Sequence, residues 1–125
     1  ETVRISEVSE FDDATAKALG TGKPVIIYCY GNWKEGTCDS WCPDCVDADG
    51  IIKKKAKECD AILIEVLVGD RDSYKGKPEN QWRVFEKTKL TSIPTLIKWG
   101  VGGEKGRLVE RECVEGDKVV ELIKQ

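Results

Sequence analysis

Cys42 and Cys45 stand three positions apart, with Pro43 and Asp44 between them and Trp41 directly before. Two thiols at that spacing can carry out disulfide exchange: the first attacks as thiolate, and the second resolves the mixed disulfide. The chemistry works best at the start of a helix. There the unpaired N–H groups and the helix dipole favour an anion, and a thiol that titrates near ~8.5 in water falls to about 7 or lower. Pro43 fits the first helical turn, because it lacks an N–H that would be orphaned there and its φ is already helical. The same pair could instead form part of a zinc knuckle, completed by Cys38 and by Cys59 or Cys113. A strand–loop–helix setting and the lack of a second such pair favour redox work. Two inert buried cysteines are a third reading, for which a flanking Trp and Pro would be odd company.

The rest of the composition narrows the chemistry. The chain has 125 residues and no histidine, so imidazole can neither activate a nucleophile nor bind zinc. A net charge of −3 argues against a nucleic-acid groove, which needs clustered Lys and Arg. The apolar runs Pro24 to Tyr30 and Ala61 to Val68 have the length of strands, far short of a bilayer span. No basic and apolar leader pattern opens the sequence. The six cysteines are even in number, as in a secreted disulfide framework. However, a chain of this length can bury a core without bridges, and Cys29 and Cys59 lie in apolar-periodic segments. A reducing compartment is therefore expected.

The elements that must position the pair alternate strand and helix, which predicts an α/β (mixed α+β) single domain over residues 1–125. Val3 to Ser6 reads as an edge strand. A helix follows, with Ser9 as its N-cap and Phe11, Ala14, Ala18 and Leu19 inward, ending at Gly20 to Gly22. Val25 to Tyr30 has the continuous apolar pattern of a strand buried on both faces. Gly31 to Ser40 is a polar loop. Cys42 to Cys59 reads as a helix whose apolar face is Val46, Ile52, Ala56 and Cys59, with Lys53, Lys54, Lys55 and Lys57 on a solvated face. Ala61 to Val68 is a second buried strand and Gly69 to Pro78 a second polar loop. Glu79 to Lys89 is expected as a helix with Trp82 and Phe85 inward. Thr95 to Trp99 and Arg107 to Arg111 form a hairpin around Gly100 to Gly106. Gly116-Asp117 opens a last helix with Val119, Leu122 and Ile123 inward.

Two further features bear on the pair. Ser92-Ile93-Pro94-Thr95 places a proline at the start of a strand, a position compatible with a cis bond. Glu65 interrupts an otherwise apolar strand. It either reaches solvent at the sheet face or, if buried, accepts the proton that Cys45 loses. Asp44 is the rival acceptor.

With these residues in place the chain resembles the thioredoxin superfamily over nearly its whole length. Within it, the chain is most similar to the thioredoxin domain-containing protein 17, or Clot, family. The closer match rests on Ser40-Trp41-Cys42-Pro43-Asp44-Cys45, the long loop before them, Val68-Gly69-Asp70-Arg71 and Pro94-Thr95-Leu96-Ile97-Lys98. General thioredoxins usually carry Gly-Pro, and glutaredoxins Pro-Tyr, where Pro43-Asp44 stands. The resemblance implies a thioredoxin fold and a cytosolic, monomeric disulfide reductase. Its redox-active disulfide would be Cys42–Cys45, with no bound cofactor or metal. Electrons would come from NADPH through thioredoxin reductase, for cystine and selected protein disulfides.

It also implies Cys42 as attacking thiol, Cys45 as resolving thiol, and Pro94 as a cis-proline facing them. Trp41, Pro43 and Asp44 would shape the site, and Ile93 would offer backbone groups to a substrate strand. The chain departs from thioredoxins in two ways: Val25 to Tyr30 holds no acid, and Gly50 replaces a kinking proline. Glutathione-linked or peroxidase activity, or redox-gated partner binding, are the alternatives. Cys42 is expected to be exposed and Cys45 largely buried. Cys29 and Cys59 would be structural, Cys113 near Cys42 but not catalytic, and Cys38 without a role or with a secondary redox one. The two long loops are expected to wall the thiolate. Lys75 and Lys77 would attract carboxylates, and Asp39 and Asp44 would repel them.

Overall fold

The computed structural model describes residues 1–34, 37 and 40–125. Cys38 and Asp39, with the roles expected for them, lie outside the described residues. The β-branched, apolar run Val25–Tyr30 forms β2, buried along its whole length, and Ile62–Leu67 forms β3 beside it. Thr2–Ile5 (β1) pairs parallel with β3, and β3 pairs parallel with β2. On the other side Thr95–Gly100 (β4) runs antiparallel to β2, and Gly103–Val109 (β5) antiparallel to β4. The mixed sheet has the order β1-β3-β2-β4-β5, with β1 and β5 at its edges. Helices Phe11–Leu19 (α1), Pro43–Glu58 (α2) and Gly116–Ile123 (α5) flank it, and two one-turn helices, Arg71–Tyr74 (α3) and Gln81–Val84 (α4), lie between β3 and β4. The core combines an aliphatic sheet with an aromatic cluster in which Phe11 meets Phe85 and Trp99 edge-on at 5.1 and 5.2 Å between ring centroids.

Local expectations fail where side chains compete for backbone groups or where chemistry hid packing. Ser9 is not the N-cap. Residues Val8–Glu10 form a 3-10 turn, and Glu10 reaches back to accept the N–H groups of Ser6 and Glu7 at 3.1 and 3.0 Å. The inward stripe of α2 is Cys45, Ala48, Ile52 and Ala56, and Val46 is 41% exposed. The stripe starts on Cys45, one residue before the Val taken as its anchor. The helix expected over Glu79 to Lys89 stops at Val84, because the Trp82 carbonyl accepts the Thr88 hydroxyl at 2.8 Å and the Leu90 N–H at 3.2 Å. Trp82 is nonetheless fully buried. The glycine-rich turn is also tighter than expected. Gly102 and Gly103 take φ of 92° and 118°, so β5 begins at Gly103 and ends at Val109, and Glu110–Val114 becomes a 3-10 turn. The second polar loop contains α3, whose Tyr74 is buried. Among the described residues no helix is long and apolar enough to cross a membrane.

Candidate active site

β2 ends at Tyr30 and α2 begins at Pro43, so the chain between them emerges at the sheet's end and feeds Cys42 onto the N-cap of α2. The Cys42 sulfur accepts the Cys45 N–H at 3.2 Å, as a capping oxygen would. It also lies 4.0 Å from the Ile93 carbonyl. The Ile93–Pro94 peptide is cis. The Cys42 backbone is tied down by its N–H to the Ser40 hydroxyl at 3.2 Å, and that hydroxyl donates to the Gly31 carbonyl at 2.7 Å. Trp41 covers this turn: its indole N–H donates to the Gly69 carbonyl at 2.8 Å, and its ring sits 6.3 Å from that of Tyr74. A Cβ at Gly31 would fall 2.5 Å from the Trp41 indole, so the close approach requires glycine.

Cys42 is only 6% exposed and Cys45 1%. This corrects the expectation of an exposed Cys42: capping α2 turns its sulfur inward, between the Cys45 N–H and the Ile93 carbonyl. The two thiols are nevertheless driven apart in acidity. Hydrogen bonding from the Cys45 thiol, aided by backbone N–H groups of Cys45 and Asp44, holds Cys42 below its ordinary value, against burial and the Asp44 charge. Burial, and then the proton shared with Cys42, pushes Cys45 far up. The arrangement sets a thiol of lowered pKa at the start of α2, with a thiol that holds its proton more tightly one turn behind it. Asp44 turns outward to Arg111, which bonds it at 3.2 Å and Asp47 at 2.8 Å.

The family model for the thioredoxin domain of thioredoxin domain-containing protein 17-like proteins matches residues 4–125. The chain belongs to this family. It is 37% identical over 125 residues to mouse thioredoxin domain-containing protein 17, covering 98% of this chain and 94% of that protein. To the human protein it is 32% identical over 127 residues, covering 100% and 96%. An Arabidopsis thaliana thioredoxin-like protein Clot is 41% identical over 79 residues, 62% of this chain and 58% of that one. Among solved structures, reduced Schistosoma mansoni thioredoxin pre-protein superposes with a TM-score of 0.67 at 19% identity, covering 99% and 96%. That likeness carries the thioredoxin fold and nothing finer.

In this member of the thioredoxin domain-containing protein 17-like family, Trp41, Cys42, Pro43 and Cys45 meet Ile93 and Pro94 where α2 begins and β4 is about to start. Glu65 does not join them. It is fully buried rather than solvent-facing, accepts the Tyr30 hydroxyl at 2.8 Å and pairs with Arg4 at 3.3 Å. Cys113 sits directly behind Pro94, its sulfur 3.7 Å from the Pro94 carbonyl, with burial pushing the thiol up to about 12. Cys29 is buried and likewise raised to about 12. Cys59 caps the far end of α2, about 21 Å from Cys45 at 1.5 Å per residue, too far to share a metal with the pair. Sequence reading missed Ser40, Arg111, Tyr28 and Asp49. Only Asp49 carried a signal, its i+4 spacing from Cys45 on a helix.

Proposed function

We propose that this chain is a thiol–disulfide reductase, in which Cys42 attacks a substrate disulfide and Cys45 displaces the reduced product. The observation that carries this reading is the Cys42 sulfur at the α2 N-cap, accepting the Cys45 N–H at 3.2 Å with its acidity raised. The Ile93 carbonyl, 4.0 Å from that sulfur, lies where an extended substrate backbone can pair beside the thiol. Family membership supports electron supply from NADPH through thioredoxin reductase, and a cytoplasmic, monomeric protein acting on cystine and selected protein disulfides.

The two loops support selectivity for small or extended disulfides. The Asn32 N–H donates to the Gly69 carbonyl at 3.0 Å, and the Gly69 N–H donates to the Asn32 side chain at 3.1 Å. The loops thus clasp each other next to Trp41, and a wall of this kind discriminates by exclusion. The deciding experiment is NADPH consumption with thioredoxin reductase, against cystine and against insulin. Turnover of cystine that vanishes in Cys42→Ser is the expected result. The reading fails if the unsubstituted protein supports no turnover of either.

A further inference from the structure

Cys45 must lose its proton to attack a mixed disulfide on Cys42, yet its burial disfavours the thiolate. A thiol held this way resolves slowly at neutral pH unless a base takes the proton as the sulfur attacks. Beside Cys45 lies a partly open cavity of about 90 Å³, lined by Tyr28, Tyr30, Trp33, Ser40, Cys45 and Asp49 among others. Asp49 is the carboxylate in that wall. Glu65 lies outside it, behind the Tyr30 hydroxyl, and Asp44 is engaged by Arg111 on the outer face.

Asp49 is fixed at both oxygens. The Tyr28 hydroxyl donates to Oδ1 at 3.1 Å and lies 3.5 Å from the Cys45 carbonyl. Lys53 holds Oδ2 at 3.0 Å. Burial and the Asp49 charge keep the Tyr28 proton on its oxygen, so Tyr28 orients the carboxylate without competing for the thiol proton. The charged and titratable groups around Asp49 are Tyr28 and Tyr30 from β2, Cys45 and Lys53 from α2, and Glu65 from β3, 3.8 Å from Lys53. The cavity is polar and large enough for a bridging water.

We propose that Asp49, positioned by Tyr28 and Lys53, is the general base that takes the Cys45 thiol proton across this cavity. The inference rests on the reductase reading. In the step, the Cys45 proton passes through one water to the Asp49 carboxylate. The Cys45 sulfur bonds to the Cys42 sulfur as the bond from Cys42 to the substrate sulfur breaks, and the substrate leaves as a thiolate that is protonated by solvent. Asp49 then returns its proton to solvent through the cavity mouth. Cys42 and Cys45 are oxidised by two electrons and the substrate disulfide is reduced by two.

The test mixes reduced protein with cystine, quenches in acid, and follows by mass spectrometry the mixed disulfide on Cys42 and its decay to the Cys42–Cys45 bridge. In Asp49→Asn the mixed disulfide should form at the unsubstituted rate and decay at least about tenfold more slowly near neutral pH. The deficit should shrink as pH rises and the thiol ionises unaided. Asp49→Glu should restore most of the rate, Asp49→Ser should repeat the defect, and Tyr28→Phe should show a smaller defect in the same step. The proposal is overturned if folded Asp49→Asn or Asp49→Ser resolves at the unsubstituted rate from about pH 6 to about pH 9, or if formation slows instead of decay. If the unsubstituted protein forms no mixed disulfide on Cys42, the reductase reading itself falls and this inference falls with it.

Discussion

At Cys42 a neighbouring thiol and two backbone N–H groups act against burial and an adjacent carboxylate, and the favourable set wins. Alkylation with iodoacetamide as a function of pH should therefore give a half-maximal rate for Cys42 below that of an ordinary thiol. Cys45 should stay unlabelled over the same range, and labelling of Cys45 first would reverse the roles. Removing the opposing charge in Asp44→Asn should move the Cys42 midpoint further down, and only modestly, because the carboxylate is part-exposed and already paired with Arg111. Glu65 makes a different kind of contribution. Its carboxylate satisfies the Tyr30 hydroxyl in the sheet's interior face, so Glu65→Ala orphans a buried donor and should cost about 1–3 kcal/mol in urea unfolding. A loss confined to the resolving step with unchanged stability would instead return Glu65 to the chemistry.

At the scale of elements, α2 carries the site, and its mid-point is a glycine that packing does not demand. A Cβ at Gly50 would meet nothing within 4 Å, and glycine inside a helix is worse than alanine by about 0.5–1 kcal/mol. Gly50→Ala should raise the melting temperature and leave Cys42 alkylation unchanged. The helix needs no rearrangement to accept the methyl group, since α2 runs unbroken from Pro43 to Glu58. Gly69 is the opposite case. Its φ is 121°, and a Cβ there would fall 2.2 Å from the Ser73 hydroxyl. Its carbonyl also receives the Trp41 indole N–H. Gly69→Ala should destabilise the fold and also disturb the thiol, read as a shifted Cys42 alkylation profile. An unchanged profile would show that Trp41 is held by other contacts.

Across the whole molecule, the sheet brings together segments far apart in sequence: the loop after β2, the turn after β3 and the cis-proline before β4 converge on one end. The wall of the site is thus a property of two loops clasped at Asn32 and Gly69 rather than of either alone. Trp33 and Ser40 pair as an isolated antiparallel bridge, which sets the two ends to be joined by a two-residue turn in a shortened variant. The shortened protein should gain in kcat/KM on insulin relative to cystine. No gain on insulin, with cystine turnover intact, would remove the loop from selectivity.

The amino-acid sequence by itself determined the elements whose periodicity is strong and the place in the fold of the adjacent thiols. The buried runs became β2 and β3, and the CxxC pair became the N-terminus of α2, because both signals are local: a burial pattern, and a proline and thiol suited to a first turn. Tertiary structure decided the rest. Helix α4 was cut short by the Thr88 hydroxyl and Leu90 N–H taking the Trp82 carbonyl, a competition that no periodicity shows. Cys42 was turned inward because its sulfur serves as the cap of its own helix. Most of all, the sequence offered Glu65 and Asp44 as acids near the pair, and only the fold could show that one is enclosed by Tyr30 and Arg4 and the other is drawn outward by Arg111. Asp49 shares a cavity with Cys45 because a helix turn and a strand tyrosine meet there, and that contact is made across the sheet–helix interface, not along the chain.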